Sequence, residues 1–306
     1  MPLTYDQISA ITEKKFIPKL YDNIFDSDPL LQRLKKKSYM KLDGGTQIIV
    51  PLNYAQTTAS GWYSGAETLS TTDNDQITGA AYDWKQFYAN ISISRRDELV
   101  NSGDSQIVNF VKSKTQIAEK TLIDKLGDGI YSDGTDTKSI IGLQVQVDAG
   151  NTVGGIAQGT YSWWQSQENS STTTLTMAAL QTFDTALSIN NDAPTVIMAT
   201  RANYNRYYAL LQPQQRFTDS DTAKGGFASL MFNGKPFIAG SKVPTSHVFF
   251  LNEQYLHLCV HKDEDMRFEP FQKPVNQNVK VAKIYWMGAL ASSNCRMQGK
   301  YTAVAA

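Results

Sequence analysis

Apolar residues recur along the chain at two different spacings. Ile48-Ile49-Val50-Pro51-Leu52 is a short apolar run, and Ala89-Asn90-Ile91-Ser92-Ile93-Ser94 alternates with period two. Both patterns predict strands within 39–93. Between them, 53–84 is polar, rich in Thr and Ser, and contains Gly61, Gly65 and Gly79. It is too long for an ordinary hairpin loop. Trp62, Tyr63, Tyr82 and Trp84 argue against disorder, because disordered segments are poor in aromatic residues. The stretch therefore reads as an extended two-stranded flap that docks on a neighbour. Beyond it, Ile107, Val111, Ala118, Leu122 and Leu126 recur at intervals of four or seven, one stripe of a helix. Asp104 can cap its start and Gly127 its end. At about 1.5 Å per residue, a helix over 104–126 spans roughly 33 Å.

Upstream, Leu20, Ile24 and Phe25 share a helical face behind Pro18, and Asp28-Pro29 restarts the pattern with Leu30, Leu31 and Leu34. Lys35-Lys36-Lys37 comes next, and 13–41 holds eight basic residues against four acidic ones, a local net of +4. That run reads either as a solvated helix end, where cations suit the dipole, or as an arm facing a polyanion. Downstream of the long helix, Ile140-Ile141-Gly142-Leu143 is an apolar, strand-like piece after a Gly/Asp-rich turn. A polar, loop-like stretch over 151–174 is broken by Tyr161-Ser162-Trp163-Trp164. Thr176 caps a predicted helix through Met177, Leu180, Phe183, Ala186 and Leu187. A strand over 195–199 and a helix over 201–211, holding Tyr204, Tyr207, Tyr208 and Leu211, complete a mixed α+β unit. Strands over 248–251, 256–260 and 279–287 end the chain, and no repeat of fixed period runs through it.

Composition narrows the function. In 306 residues, Lys+Arg and Asp+Glu number 29 each, so the formal net charge is zero. A dedicated nucleic-acid binder would carry a basic excess. Plentiful uncharged polar residues, 15 Tyr and 13 Phe suit loops that meet partner surfaces through hydrogen bonds and aromatic anchors. That points to an assembly protein. The apolar runs, such as 196–199, are too short to cross a bilayer. No basic-then-apolar leader comes after Met1. Cys259 and Cys295 do not make a disulfide framework, so the expectation is a soluble protein of a reducing cytoplasm.

Candidate chemistry is thin. His257-Leu258-Cys259-Val260-His261 sets both imidazoles and a thiol on one strand face. Zinc wants three or four such ligands in a tetrahedron, yet these spread roughly 13 Å along a strand. Structural strand residues are the better reading. No phosphate-binding glycine motif and no G-x-S-x-G elbow is present, and the Asp-rich stretches 73–75 and 128–136 lack the calcium-loop pattern. The sequence carries no catalytic signature and calls for no cofactor and no metal.

The order of pieces (arm, long acidic flap, long helix, α+β unit, returning strands) resembles that of the major capsid proteins of tailed bacteriophages, with the HK97-type coat fold. Local stretches resemble them too. Gly159-Thr-Tyr-Ser-Trp-Trp164 looks like their Tyr/Trp-Trp segment after the spine helix. Pro194 to Tyr208 is similar to the strand and aromatic-paired helix of their A domain. Gln214-Gln215-Arg216-Phe217, Gly226-Phe227-Ala228-Ser229-Leu230, Gly234-Lys235-Pro236 and Phe249-Phe250-Leu251-Asn252 resemble the segment these proteins carry C-terminal to that helix.

The resemblance implies an α+β, HK97-like capsid fold. Residues 1–38 correspond to the N-terminal arm and 39–94 to the E-loop β-hairpin with its base strands. Residues 95–134 correspond to the P domain with its long spine helix, 135–255 to the A domain, and 256–306 to P-domain return strands. It implies a structural protein, not an enzyme. Copies would form the hexamers and pentamers of an icosahedral phage head around double-stranded DNA, held without sequence readout. The subunit would belong to the virion, be assembled in the bacterial host cytoplasm, and have itself, a portal and a separate scaffolding protein as partners, with no membrane. Trp62, Tyr63, Glu67, Trp84, Trp163 and Trp164 are the candidate interface residues, and Lys35, Lys36 and Lys37 the candidate DNA-facing ones.

Two features depart from better-known relatives. Some weld subunits through an isopeptide bond from an E-loop lysine, whereas here no Lys lies between Pro51 and Trp84 and the first is Lys85. No such cross-link is expected. Some begin with a cleaved scaffolding segment, whereas this chain starts nearly at the arm, so no maturation cleavage is expected. Two other readings compete: another phage part such as a tail tube or an encapsulin-like shell of the same fold, and an enzyme or sugar-binding protein stacking rings on Trp62, Trp84, Trp163 and Trp164. Aromatic anchors at subunit interfaces explain those residues without a ligand.

Overall fold

The computed structural model describes residues 28–100, 110–170, 174–215 and 230–302. The predicted helix behind Pro18, the Asp104 cap with Ile107, and most of 214–230 therefore lie outside the described residues. The chain divides into two compact units. The larger takes in Asp26–Phe87, Ile123–Arg267 and Tyr285–Ala306, and the smaller includes Tyr88–Leu122 and Phe268–Ile284.

Described elements run in chain order. Helix α1 is Pro29–Lys37, succeeded by strands β1 (Tyr39–Leu42), β2 (Ile48–Asn53), β3 (Ile77–Tyr82) and β4 (Lys85–Ser94). Helices α2 (Arg95–Val100), α3 (Phe110–Ile130) and α4 (Leu143–Gln146) precede the short strands β5 (Thr152–Val153), β6 (Ile156–Ala157) and β7 (Gln167–Asn169). Then come α5 (Met177–Leu187), β8 (Val196–Ala199), α6 (Arg201–Gln215), β9 (Met231–Phe232), β10 (Lys235–Ala239) and β11 (Val248–Leu251). The chain ends with β12 (Leu256–His261), β13 (Arg267–Gln272), β14 (Val279–Ser292) and β15 (Gly299–Tyr301).

In the larger unit six strands run in the order β7-β15-β11-β8-β10-β9. β8 and β11, antiparallel to each other, are buried along their whole length. This is why they read in sequence as continuous apolar runs and not as alternation. Leu180, Phe183 and Leu187 of α5 and Tyr207 of α6 join Ile197, Phe237, Phe250 and Tyr301 of the sheet in one core. Tyr207 stacks on Phe237 at 4.5 Å. Helix α5 starts where its cap predicts: the Thr176 hydroxyl accepts from the Ala179 amide at 3.2 Å. A second sheet joins β1 to β12 in parallel and β12 to the end of β14 antiparallel. Helix α1 is capped by Asp28, whose Oδ2 accepts from the Leu31 amide at 2.8 Å, and it buries Leu30, Leu31 and Leu34.

In the smaller unit β13 and β4 pair with β14. The period-two signal of β4 emerges as burial of Ala89, Ile91 and Ile93. The α3 stripe is buried at Ala118 and Leu122, while Val111 stays exposed.

Three expectations change. Helix α3 does not end at Gly127 but continues to Ile130. A side chain at Gly127 would stand 3.2 Å from Asp28 Cβ, while one at Gly129 would meet Ile140 at an ordinary contact of 3.5 Å. Gly127 admits a close neighbour, and neither glycine stops the helix. Ile140 to Leu143 is no strand: Ile140 covers Gly129, and Leu143 opens α4. Strand β13 goes unannounced in sequence because Arg267, Glu269 and Pro270 interrupt its apolar positions, and all its residues keep solvent contact.

Candidate assembly surface

The flap is anchored at its base and open at its tip. β2 and β3 pair over six rungs, from Ile48↔Tyr82 to Asn53↔Ile77. Ile48, Leu52, Ala80 and Tyr82 enter a core with Val153, Ile156, Trp164, Cys259 and Cys295. The Tyr82 hydroxyl donates to the Ser292 carbonyl at 2.8 Å, and the Ala81 amide to the Gly154 carbonyl at 2.9 Å. Gly154 has φ +62, and any Cβ there would lie 2.6 Å from Ala80 Cβ. Glycine is required for both reasons. The neck of the loop 54–76 is braced as well. Asn74 Oδ1 accepts from the Thr58 amide at 3.1 Å, its Nδ2 donates to the Gln56 carbonyl at 3.2 Å, and the Tyr54 amide donates to the Gln76 carbonyl at 3.0 Å.

Past that neck, Trp62 is 105% exposed, and Tyr63 and Leu69 stand out at 67% and 58%. A tryptophan wholly in water is a costly placement for a residue that stabilises mainly by burial. Glu67 is exposed in the same loop, as are Asp73 and Asp75. Ile49 and Ile77 add apolar surface on the outer face of the hairpin. Leu69, Ile49 and Ile77 carried no signal of this exposure in the sequence, where 48–52 reads as one continuous apolar run and does not separate the buried Ile48 from the exposed Ile49.

The other aromatic candidates sit elsewhere. Trp84 donates its Nε1 to the Gly45 carbonyl at 2.9 Å and meets His261 edge-on. Trp163 stacks on Tyr54 at 5.3 Å. Trp164 is 1% exposed and donates Nε1 to the Val153 carbonyl at 3.2 Å, so its side chain belongs to the interior of the subunit. Trp62, Tyr63 and Glu67 thus share the tip, while Trp84, Trp163 and Trp164 lie toward its base.

Lys35, Lys36 and Lys37 do not act as one patch. Glu253, its side chain 2% exposed, is held bidentate by Arg33 at 2.6 and 2.7 Å and by Lys37 at 2.9 Å. Burial alone would raise the Glu253 pKa, but the hydrogen bonds and charges of Arg33 and Lys37 hold it below the usual range. Burial pushes the Lys35 ammonium down, and Asp265 partly offsets this. Lys36 is exposed.

The His/Cys strand is structural in its contacts. Cys259 and Cys295 are buried free thiols, which burial pushes up to about 11 and about 12. His257 pairs with the Ser293 hydroxyl at 3.2 Å. Among the described residues no group of three or more His, Cys, Asp or Glu could hold a metal ion, and no helix is long and apolar enough to cross a membrane.

No protein-family model and no curated protein matches the sequence. Solved structures do. A chain of the cyanophage A-1(L) capsid asymmetric unit is 17% identical with a TM-score of 0.74, over 99% of this chain and 100% of that one. The capsid of a native GTA particle gives 13% and 0.69, over 97% and 96%. The SrpI encapsulin complex of Synechococcus elongatus gives 10% and 0.64, over 100% and 97%. At such identities the likeness carries the fold: over nearly its whole length, this chain has the α+β HK97-type coat fold.

Proposed function

We propose that the chain is the major capsid protein of a tailed-phage head, closing into hexamers and pentamers of an icosahedral shell around double-stranded DNA. The likeness to capsid chains, end to end in both partners, is the observation that supports this reading. A flap presenting a fully exposed tryptophan suits a subunit completed by its neighbours. In this reading 1–38 is the arm, 39–94 the E-loop with its base, 95–134 and 256–306 the P domain, and 135–255 the A domain. Portal and scaffolding proteins are the further partners, the DNA is held without sequence readout, and the virion, assembled in the host cytoplasm, is the location. The subunit's work is structural. Electron microscopy of the purified protein, with mass from light scattering, is expected to show closed shells or rings of five and six. A monomer that stays single with scaffold and portal co-expressed would overturn the proposal.

An encapsulin-like shell is the second reading, supported by the SrpI likeness. Nuclease-treated particles that hold a protein cargo and no DNA would select it. Under either reading no covalent weld from the flap is expected. Its stretch from Pro51 to Trp84 has no lysine, and Lys85, at the base, donates to the Thr137 carbonyl at 2.8 Å. Boiled, reduced gels of mature particles should show a single subunit band; a ladder would refute this.

A further inference from the structure

Residues 29–42, helix α1 with strand β1, carry five bases and no acid. Carboxylates that answer these bases stand on later parts of the larger unit. Glu253, between β11 and β12, is gripped by Arg33 and Lys37 and also accepts from the Thr195 hydroxyl at 3.1 Å. Asp265, between β12 and β13, pairs with Lys41 at 2.8 Å. Burial would raise the Asp265 pKa, but Lys41, Tyr39 and the charge of Lys35 hold it below its usual range. Apolar burial in α1 is confined to Leu30, Leu31 and Leu34. β1 is an edge strand, paired with β12 from Tyr39↔Leu258 to Leu42↔His261, and none of its residues is fully buried. β8 and β11, by contrast, are buried throughout.

We infer that α1 and β1 form one strap, latched by Glu253 and Asp265, that opens as a single piece while the six-stranded sheet stays folded. Ser38 couples its two halves. The Ser38 amide donates to the Leu34 carbonyl at 2.8 Å, its carbonyl accepts from the Leu258 amide at 2.9 Å, and its hydroxyl donates to the Glu253 carbonyl at 2.6 Å. Helix α1 therefore cannot lift without pulling the first rung of β1. Elements with the least apolar burial open at the lowest cost, which places the strap ahead of β8 and β11. Opening bares the three leucines and frees Arg33, Lys37 and Lys41 for other partners. The inference concerns the single subunit and does not rest on the shell reading.

The test is hydrogen–deuterium exchange on the full chain, kept unassembled, with urea raised in steps below the unfolding midpoint. Wild-type amides of α1 and β1 are expected to merge into one shared opening that precedes that of β8 and β11. Separate openings of α1 and β1, or opening only together with β8 and β11, would overturn the strap. Glu253→Gln keeps the side chain's shape but leaves Arg33 and Lys37 without their buried counter-charge. It should speed exchange in both halves of the strap at least about tenfold. Asp265→Asn, at a more exposed pair, should do so about threefold. Exchange in β8 and β11 should stay as in the wild type. Because Glu253 grips α1 and Asp265 chiefly β1, a rise confined to the nearer half refutes opening as one piece. A rise of equal size in β8 and β11 makes the carboxylates part of the global fold and overturns the latch. Should a variant fail to fold, the wild-type urea series decides alone.

Discussion

Trp164→Ala is expected to destabilise the unassembled subunit by about 3–5 kcal/mol, and the same change at the half-buried Trp163 by less, about 1–2 kcal/mol. The two tryptophans are adjacent in sequence and differ in surroundings. Trp164 is buried in the core that also holds Ile48, Leu52, Ala80 and Tyr82, so its removal opens a cavity beneath the flap. It also leaves the Val153 carbonyl without its 3.2 Å partner, a further cost of about 1–3 kcal/mol if water cannot reach the site. Trp163 keeps partial contact with solvent, lies at the edge of the same core, and stacks on Tyr54 at 5.3 Å. Urea unfolding of the two variants under conditions that prevent assembly would measure the difference. Limited proteolysis should report it as well, with the flap of Trp164→Ala cut faster than that of the wild type. Equal losses at the two positions would refute the division of the pair into an interior member and an edge member.

That division marks a limit of sequence reading. Caps and periodicity are local, and they located α5 behind Thr176, β4 through alternating Ala89, Ile91 and Ile93, and β8 and β11 as apolar runs. The order of such pieces was enough to suggest the fold. What the sequence left open depends on residues far along the chain. A glycine after a helical stripe can be a cap or a contact. At Gly127 the Asp28 side chain lies close, and the helix runs on to Ile130. Lys37 looks like one of three equivalent lysines until Glu253 is brought beside it. Trp62 was legible as an aromatic residue in a polar loop, but only the structure separates it from Trp84, whose Nε1 is bound to Gly45.

Asp28→Asn should make the subunit more stable at pH 8 by up to about 3 kcal/mol, with the advantage vanishing toward pH 4. Asp28 is 2% exposed, and its Oδ1 has no hydrogen-bond partner. Burial dominates and raises its pKa from 3.8 to about 6. The Leu31 amide, the Tyr131 hydroxyl, the Leu30 amide and Lys242 favour its charge less strongly. The Lys242 ammonium is already shared between Asp124 and Asp128 at 2.7 Å each, and so gives Asp28 little. A carboxyl whose folded pKa lies above its unfolded one binds its proton more tightly in the native state. Its ionisation therefore works against folding, increasingly as pH rises from about 4 to above 6. At about 1.4 kcal/mol per tenfold change in proton affinity, the rise from 3.8 to about 6 corresponds to about 3 kcal/mol. Asparagine caps a helix as well as aspartate does and stays neutral throughout. Other groups titrate in or near this window with the opposite sign. Burial lowers the His257 pKa, so acid charges it at a cost, and Glu253, held low by Arg33 and Lys37, loses its contribution below about 4.5. Comparing variant with wild type at each pH cancels both. Urea midpoints at pH 8, 6 and 4.5 should converge as the pH falls, and a gap that stays constant would show that Asp28 does not titrate in this window.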